Sequence, residues 1–424
     1  MSVAATALAN GVRVVTHRMA SVETVSLGAW IDVGTRHERA DVNGIAHLVE
    51  HMAFKGTGRR SARAIAEEIE SVGGHLNAYT SREFTAFHAT VLGGDEGLAL
   101  DIVADILQHA TLDPEELERE RAVILREIGQ SRDTPEDVVF DRFQETAYPD
   151  QPVGRSTLGT PQLVGAIGRA ALVDYIARFY TAGRIVVAAA GKLDHDDFAR
   201  RVEDAFGGLR ADAVPAPEPA VYAGGDSRAV RDLEQLHLLL GLEGIAHRDP
   251  DYYALAVFSA ALGGGLSSRL FQDIREERGL VYSIYSFNSS YADGGLFGIY
   301  AGTGAESGSE VVERICDNLG TMADEVEEAE LGRARAQLKA GILMSLESTA
   351  SRAEQIARHM LIFGRVLATG EITEGIDAVD RKAVMRISER LRAGRPTVAT
   401  LGPEAAIPGY EEIASRLGAP GGAR

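Results

Sequence analysis

Residues 44–57 read GIAHLVEHMAFKGT, and the pattern His47-x-x-Glu50-His51 within them organises the rest of the chain. On a helix these three positions fall within about 100° of one another, so both imidazoles and the carboxylate share one face. Two histidines one turn apart can bind a single divalent cation, and zinc suits imidazole and carboxylate ligands best. The pattern therefore predicts a metal site. A solvated helix face is the alternative, and a third ligand decides between the two.

The composition is that of a globular chain long enough for more than one domain. The 424 residues include 45% hydrophobic and 25% charged residues, which are ordinary proportions for a water-soluble protein. The chain has no apolar run of about 18 residues, and its start lacks a basic segment followed by an apolar one, so we expect neither a membrane span nor a secretory signal. Cys316 is the only cysteine, which excludes an intrachain disulfide and predicts a cytoplasmic protein.

The formal net charge is −19, and the acidic excess is spread over both halves of the chain. This charge argues against nucleic acid as a partner, because the phosphate backbone binds basic surfaces. A basic peptide matches the charge better.

Strand-like and helix-like segments follow one another in a similar order in the two halves of the chain. Strands rich in Val and Ile precede the motif helix, which is predicted over residues 43–54 with a cap and turn at Asn43-Gly44. Further on, the segment ADAVPAPEPAVY has three prolines and cannot continue a helix. We therefore predict an α+β (mixed α/β) fold of two homologous domains, each a largely antiparallel sheet packed against helices. The predicted limits are 1–212 for the zinc-binding domain, 213–222 for the linker and 223–424 for the second domain.

A second run, ELERERAVILREIGQ, places Glu120 and Glu127 seven residues apart. Two helical turns put both glutamates on one face, beside an apolar stripe. One of them could complete a set of two His and one Glu around zinc, with a fourth position open for water, while the other orients a histidine. Periodicity alone does not assign the two roles, and both residues could instead belong to a charged surface.

Five segments occur in order along nearly the whole chain: HLVEHMAFKGT, GGHLNAYTSRE, the Glu120/Glu127 pair, DRFQETAYPDQPVGRSTLG and GGGLSSRLFQDIREERGLVYSIYSF. Together they resemble the pitrilysin (insulinase) family of zinc peptidases, the inverzincins, and within it the processing-peptidase branch with its short bacterial relatives. The resemblance implies His47, His51 and Glu127 as ligands of one zinc ion per chain. It also implies Glu50 as the general base and Glu120 as the residue that orients a ligand histidine.

The resemblance assigns four further residues to substrate binding. Asn77 corresponds to a residue that helps to hold the substrate backbone near the metal, at a strand edge that suits an extended peptide. Phe54 corresponds to a wall of the pocket for the residue after the cleaved bond. Asp137 and Asp141 match acidic positions that recognise an arginine before the cleavage point, with Asp137 in place of the usual glutamate. From the residues alone, Phe54 reads as core and the two aspartates as a solvated helix face.

In the second half, Arg275 and Tyr282 match a pair that reaches toward the cleaved peptide bond. The resemblance implies that Tyr282 donates to the developing oxyanion and that Arg275 binds the substrate carbonyl. Long relatives join four such domains in one chain to close a peptide chamber, whereas this chain has two. Because the metal motif and the Arg/Tyr pair lie in one sequence, the resemblance implies a homodimer, with a heterodimer of homologous subunits as the other arrangement.

The predicted function is that of a zinc metalloendopeptidase, with zinc-activated water as the nucleophile. Its substrates would be unfolded peptides or presequence-like segments inside a dimer chamber. Three other functions stay open: a non-catalytic scaffold subunit, a protein that binds peptides without turnover, and a zinc hydrolase of small amides. The intact ligands and base argue against the first two, and a comparison of short and long substrates would separate the third.

Overall fold

The computed structural model describes residues 3–418. The strands within this range are β1 (Val3–Ala7), β2 (Arg13–Arg18), β3 (Thr24–Ile31), β4 (His75–Thr80), β5 (Thr85–Leu92), β6 (Ile185–Gly191), β7 (Gly225–Val230), β8 (Leu236–Glu243), β9 (Val281–Ser290), β10 (Gly295–Thr303) and β11 (Thr397–Gly402).

The α-helices of the same range are α1 (Ile45–Ala53), α2 (Ala62–Ser71), α3 (Glu96–His109), α4 (Pro114–Asp133), α5 (Pro135–Ala147), α6 (Pro161–Ala166), α7 (Arg169–Phe179), α8 (His195–Phe206), α9 (Tyr252–Gly263), α10 (Gly308–Glu325), α11 (Glu328–Ser345), α12 (Thr349–Phe363), α13 (Thr369–Asp377), α14 (Arg381–Arg392) and α15 (Tyr410–Arg416). A π-helix spans Phe271–Glu277. No helix between residues 3 and 418 combines the length and the apolar character that crossing a membrane requires.

The chain forms two compact units, and each unit includes one segment from the other half of the sequence. The first unit comprises the chain up to Gly129, Arg155–Glu218 and Leu343–Leu367. The second comprises Gln130–Gly154, Pro219–Ile342 and the chain from Ala368 onward. The first unit thereby gains α12, and the second gains α5. The linear domain limits given by the sequence stay a prediction.

The first unit is built on a six-stranded sheet in the order β1-β2-β6-β3-β5-β4. Neighbouring strands are antiparallel except β2 and β6, which are parallel. Successive side chains of a strand point to opposite faces, so β3 contributes Leu27 and Ala29 to one core and Trp30 to another. Helices α1, α3, α4 and α8 belong to the larger core, while α12 packs on the opposite face. β4 lies at the edge of the sheet and contacts α1.

The second unit is built on a five-stranded sheet in the order β7-β11-β8-β10-β9. Its strands are antiparallel except β7 and β11, which are parallel. Helix α5 packs on β11 and β8, where Val139 and Phe143 share a core with Leu239 and Leu401. Helix α9 packs against β9, the edge strand.

The two sheets follow one plan. In each, the strand that comes last in the sequence, β6 or β11, lies between a parallel and an antiparallel neighbour. In each, a helix from the other half of the sequence packs on the sheet, α12 in the first unit and α5 in the second. The predicted α+β class, with two similarly built and largely antiparallel sheets, is confirmed.

The helix that carries the His-x-x-Glu-His pattern is α1, and its N-cap is the second residue of the predicted Asn43-Gly44 pair, without a side-chain cap of its own. The N-cap residue is Gly44, which has a φ of 97° and no side chain to accept a hydrogen bond. Asn43 Nδ2 donates instead to Glu38 Oε2 at 2.7 Å and to the Ser156 carbonyl at 3.1 Å. The left-handed backbone at residue 44 favours glycine, and the acceptor for the first turn of α1 comes from Glu38.

Two other helices begin with an ordinary side-chain cap. Ser61 Oγ accepts a hydrogen bond from the Ala64 amide at the start of α2. Asp194 Oδ1 accepts from the amides of Asp196 and Asp197 at the start of α8. In both cases the acceptor and its donors lie within three residues of each other, which is the range that a local sequence rule covers.

Candidate metal centre

Helix α1 presents His47, Glu50 and His51 on one face and turns both imidazoles toward a common point. The two Nε2 atoms lie 3.2 Å apart. The exposed fractions of the two side chains are 14% and 17%, so both rings are largely removed from water. Two ring nitrogens that face each other at this distance must share one proton or one cation, because two lone pairs repel.

Helix α4 supplies the third group. Glu127 Oε2 lies 3.7 Å from His47 Nε2 and 3.5 Å from His51 Nε2. Two turns earlier on the same helix, Glu120 Oε2 lies 3.0 Å from His51 Nδ1. The structure therefore separates the two glutamates that periodicity leaves equivalent. Glu127 faces the converging ring nitrogens, and Glu120 faces the other nitrogen of the His51 ring.

The donor atoms of His47, His51 and Glu127 fit a zinc ion. All three lie within 4.8 Å of one another. Ligand atoms around tetrahedral zinc lie about 3.3–3.6 Å apart, since each bond is about 2.0–2.2 Å long. The observed separations of 3.2, 3.5 and 3.7 Å are close to that range. Two imidazoles and one carboxylate also leave a fourth position for water, as in catalytic zinc sites.

The protonation state of His47 agrees with this use. Burial, with a smaller contribution from the charge of His51, lowers the pKa of His47 to about 4. A histidine binds a metal as the neutral imidazole, so the His47 ring is ready for a cation near pH 7. Its Nδ1 is buried and has no hydrogen-bond partner within residues 3–418, whereas Nδ1 of His51 faces Glu120.

Glu50 projects from the same helix but is not one of the three converging groups. Thr80 Oγ1, at the end of the edge strand β4, donates a hydrogen bond to Glu50 Oε2 at 2.6 Å. Burial raises the pKa of Glu50, while the Thr80 hydrogen bond and the charge of His51 lower it. A bound divalent cation would also favour the charged form. A carboxylate held through one oxygen in this way can exchange a proton through the other.

Glu120 is held from two sides. Lys55 Nζ lies 2.7 Å from Glu120 Oε1, while Glu120 Oε2 faces His51 Nδ1. The side chain of Glu120 is only 9% exposed, so its contacts with these two residues are weakly screened by water. The series Lys55–Glu120–His51 makes Nδ1 of the ring the hydrogen-bond donor and leaves a lone pair on Nε2.

Two residues assigned to substrate binding belong to the same unit. Asn77 is exposed on β4, and its Oδ1 accepts a hydrogen bond from the Ala78 amide. β4 is the last strand of the sheet, so its outer edge presents backbone groups to an added strand. Phe54 follows α1, is half-buried, and lines a cavity of about 250 Å³ together with Ile65 and Ile69.

Arg275 and Tyr282 belong to the second unit. Arg275 lies in the π-helix Phe271–Glu277, a segment whose sequence predicts an α-helix. Its guanidinium carbon is 4.7 Å from the ring centre of Phe271 and 5.9 Å from that of Tyr282. Tyr282 is 76% exposed near the start of β9. A guanidinium that packs with its face against a ring keeps its N–H donors, which lie in its plane, for other partners.

Asp137 and Asp141 also belong to the second unit. They lie four residues apart on α5, so they share one face of this helix. Asp137 is exposed and Asp141 is half-buried. Both carboxylates are therefore accessible to a cationic group.

Lys55 and Thr80 are functional candidates that sequence reasoning missed. Lys55 lies in HLVEHMAFKGT and Thr80 in GGHLNAYTSRE, so their positions inside these two segments were the only signal. Thr80 is 30 residues from Glu50, and Lys55 is still farther along the chain from Glu120. Contacts of this range depend on the packing of α1 against β4 and α4, which no local pattern reports.

Two family models match most of the chain. The model described as insulinase (peptidase family M16) matches residues 13–161, which include the converging histidines and glutamates. The model described as the peptidase M16 inactive domain matches residues 166–338, which include Arg275 and Tyr282.

Curated relatives match over nearly the full length. A Mycobacterium tuberculosis protein named an uncharacterized zinc protease is 40% identical over 409 residues, covering 94% of this chain and 92% of the relative. An Arabidopsis thaliana protein named probable mitochondrial-processing peptidase subunit beta is 39% identical over 427 residues, covering 97% and 80%. Among solved structures, a protease from Helicobacter pylori has a TM-score of 0.89 and 22% identity, covering 95% of this chain and 99% of that chain. This last match shows a shared fold.

Proposed function

The chain belongs to the insulinase family, peptidase family M16, and is a zinc-dependent protease; from this premise we propose that it is an endopeptidase of unfolded peptides, presequence-like segments among them. In this proposal His47, His51 and Glu127 hold one zinc ion per chain, and Glu50 is the general base. The main support for this proposal is that ligand atoms of these three residues lie within 4.8 Å of one another, while Glu50, on the same helix as the histidines, is not one of the three.

Each residue around the centre has a defined task in the proposed reaction. Zinc bound here supplies a Lewis acid that lowers the pKa of a coordinated water and polarises the substrate carbonyl. Glu50 takes the proton of the attacking water and returns it to the leaving amine, while Thr80 holds the carboxylate in place. Glu120 and Lys55 fix the His51 ring so that its Nε2 lone pair points toward the cation.

We assign Tyr282 and Arg275 to the substrate as hydrogen-bond donors. The Tyr282 hydroxyl would donate to the developing oxyanion, and the Arg275 guanidinium to a substrate carbonyl. The exposure of Tyr282 and the packing of Arg275 against two aromatic rings support this assignment. Both residues lie in the segment that resembles the family.

The edge of β4 is the proposed binding site for the substrate backbone. Asn77 lies on this strand and Thr80 ends it, so a peptide paired with β4 passes the residue that holds Glu50. The cavity beside Phe54, at about 250 Å³, has room for one large apolar side chain of that peptide. Strand pairing requires an extended chain, which favours unfolded over folded substrates.

We propose that two copies of the chain pair around the substrate. The metal ligands and the Arg275/Tyr282 pair are in one sequence, so two copies have every group that the reaction needs. A heterodimer is the other arrangement, and the Arabidopsis relative is named as a beta subunit. Light scattering on the active protein tests the point, and a fully active monomer would contradict it.

Digestion of three kinds of substrate tests the proposed function. Long unfolded peptides, a folded protein and short amides are incubated with the zinc-loaded protein and analysed by mass spectrometry. We expect cleavage of the long peptides alone, at internal bonds. Turnover of short amides alone would identify a different zinc hydrolase. Peptide binding without cleavage would identify a binding or scaffold protein.

Changing both Asp137→Asn and Asp141→Asn should raise KM about fivefold for a peptide with an arginine before the cleaved bond. Neutral amides no longer attract the guanidinium, and a partly exposed charge pair has an effect of this size. Steady-state kinetics on this peptide and on its Arg→Ala analogue measure the effect. Glu145→Gln, at an exposed position of the same helix, is the matched control. An equal rise in KM for both peptides would mean that the two aspartates do not recognise the arginine before the cleaved bond.

Lys55→Met should weaken zinc binding about tenfold, the usual scale for residues that support a ligand. Methionine is unbranched and only one atom shorter than lysine, but it removes the charge that holds Glu120 against His51. Competition with a chelating dye measures the zinc affinity. Lys339→Met removes a lysine paired with Asp377 in the second unit and should leave the affinity unchanged. If Lys55→Met binds zinc as tightly as the wild type, Lys55 is not needed to hold Glu120 against His51.

A further inference from the structure

Glu38 is a buried carboxylate that lies outside the metal centre. It is 3% exposed and accepts three hydrogen bonds. Oε2 accepts from Asn43 Nδ2 at 2.7 Å and from the Gly44 amide at 2.9 Å, and Oε1 accepts from the Ala46 amide at 2.8 Å. Burial raises the pKa of Glu38 to about 7, and the three hydrogen bonds act in the opposite direction. These donors therefore offset part of the cost of removing the carboxyl group from water.

The two bonds from backbone amides give the start of helix α1 the side-chain acceptor that its own sequence lacks. The first amides of a helix have no partner inside it, and a side chain at the N-cap usually accepts from them. The N-cap of α1 is Gly44, and its first turn contains no acidic residue. Glu38 reaches this end from six positions upstream and accepts from the N-cap amide and from that of Ala46. When Glu38 is ionised, its negative charge also lies at the positive end of the helix dipole.

The loop that contains Glu38 is itself fastened to the segment 155–159. Arg155 Nη2 donates to the Glu38 carbonyl at 2.8 Å, and Asn43 Nδ2 donates to the Ser156 carbonyl at 3.1 Å. Gly159 lies so close that a Cβ atom there would be 2.4 Å from the Asn43 carbonyl. A Cβ atom on Gly44 would be 2.8 Å from a carbonyl of the same segment. Arg155 thus holds the backbone of Glu38 from outside α1, and the same segment packs against Asn43 and Gly44 at the start of the helix.

We propose that Glu38 is a positioning residue for the metal centre, acting through the first turn of α1; this rests on the proposed zinc site. Helix α1 has nine residues, and the amide of Ala46 directly precedes His47. His51 lies one turn beyond His47 on the same face. If the first turn of α1 changes its orientation or becomes less ordered, both ligand rings therefore move relative to Glu127 on α4. Catalytic zinc sites depend on such supporting contacts beyond the ligands.

The test compares Glu38→Ala with a cap removed elsewhere in the same unit. Asp194→Ala deletes the acceptor for two amides of α8, away from the metal ligands. Zinc affinity is measured by chelator competition, at a temperature where circular dichroism shows each variant folded, and kcat and KM are measured on a peptide substrate. We expect Glu38→Ala to weaken zinc binding about tenfold and to lower kcat more than it changes KM. Asp194→Ala should lower the melting temperature without changing the zinc affinity.

The outcomes separate this proposal from the function on which it rests. Wild-type zinc affinity and kcat in folded Glu38→Ala would overturn the positioning role, while zinc binding and cleavage by the wild type would leave the proposed function intact. Equal losses of zinc affinity in Glu38→Ala and Asp194→Ala would mean that the loss comes from lower overall stability. This result would also overturn the positioning role. If Glu38→Ala does not fold, Glu38→Gln carries the same test, because it keeps one acceptor oxygen and the side-chain volume. A wild-type protein that binds no zinc would overturn both ideas.

Discussion

Replacing Glu50 by glutamine should lower the rate of peptide cleavage about 100-fold or more while zinc stays bound. Glutamine has the shape of glutamate and can still accept the hydrogen bond of Thr80, but its amide cannot take a proton from water. Glu50 is not among the three converging ligand groups, so the zinc content should not change. Peptide kinetics and atomic absorption on the same preparation measure the two quantities.

Glu67→Gln is the matched control for this experiment. Glu67 is on α2 in the same unit, and its side chain is 60% exposed, so the same chemical change there should leave cleavage at the wild-type rate. Equal cleavage by the wild type and Glu50→Gln would show that another group is the base. Loss of zinc from Glu50→Gln would show that this residue is a ligand.

Glu127→Gln should weaken zinc binding about 1,000-fold, whereas Glu120→Gln should weaken it about tenfold. Removing one of three ligands costs a large share of a metal-binding free energy, about 4 kcal/mol. Glu120 instead acts through the His51 ring, which keeps its Nε2 when Glu120 is neutral. The two residues are on the same helix and face the same ring, and the chemical change is the same in both variants. A difference in zinc affinity therefore reflects which atom of the ring each glutamate faces.

Chelator competition with both purified variants measures these affinities. Each variant should also lose cleavage activity at limiting zinc, and excess zinc should restore Glu120→Gln far more than Glu127→Gln. A larger loss in Glu120→Gln than in Glu127→Gln would reverse the two assignments. Unchanged affinity in Glu127→Gln would mean that the third ligand is another group.

Short-range spacing identified two pairs of residues as candidates for the metal centre, and the family resemblance assigned Glu127 rather than Glu120 as the ligand. His47 and His51 are one helical turn apart, and Glu120 and Glu127 are two turns apart, so helix geometry alone puts each pair on one face. Which glutamate approaches the ring nitrogens depends on how α4 crosses α1. That crossing is a tertiary contact, and only the family resemblance pointed to it from the sequence.

Local sequence patterns could not identify the residues that hold the metal-site side chains in place. A cap is recognised when the acceptor lies within three residues of its donors, as for Ser61, whereas Glu38 lies six residues before the N-cap of α1. Lys55 and Thr80 meet their partners only after α1 packs against α4 and β4. Asn43 matched the capping rule, yet its side chain donates to Glu38, and the N-cap is Gly44 in a left-handed backbone conformation.

Many of the strands and helices could be read from the sequence, but the strands β1 and β7 and the sheet on which α5 or α12 packs could not. The apolar side chains of α5, such as Val139 and Phe143, indicate that one face is buried, and they do not say against which sheet. In the structure α5 packs on the second sheet and α12 on the first. Each helix therefore packs on the sheet of the other half of the sequence.

The scaffold and peptide-binding functions differ from the peptidase function in whether they need a general base beside the metal. A scaffold needs no general base, and a binding protein gains nothing from a carboxylate placed beside the metal. This chain retains the three ligand groups and Glu50, and Glu50 is held by its own hydrogen bond from Thr80. That arrangement favours turnover of the bound peptide.

The most direct test of the central claim is metal removal and return. Protein stripped by a chelator is incubated with a mixed pool of peptides before and after zinc is added back, and cleavage is followed by mass spectrometry. The zinc site of His47, His51 and Glu127 predicts no cleavage by the stripped protein and full recovery at one zinc ion per chain. Undiminished cleavage by the stripped protein, or none at full zinc occupancy, would contradict it.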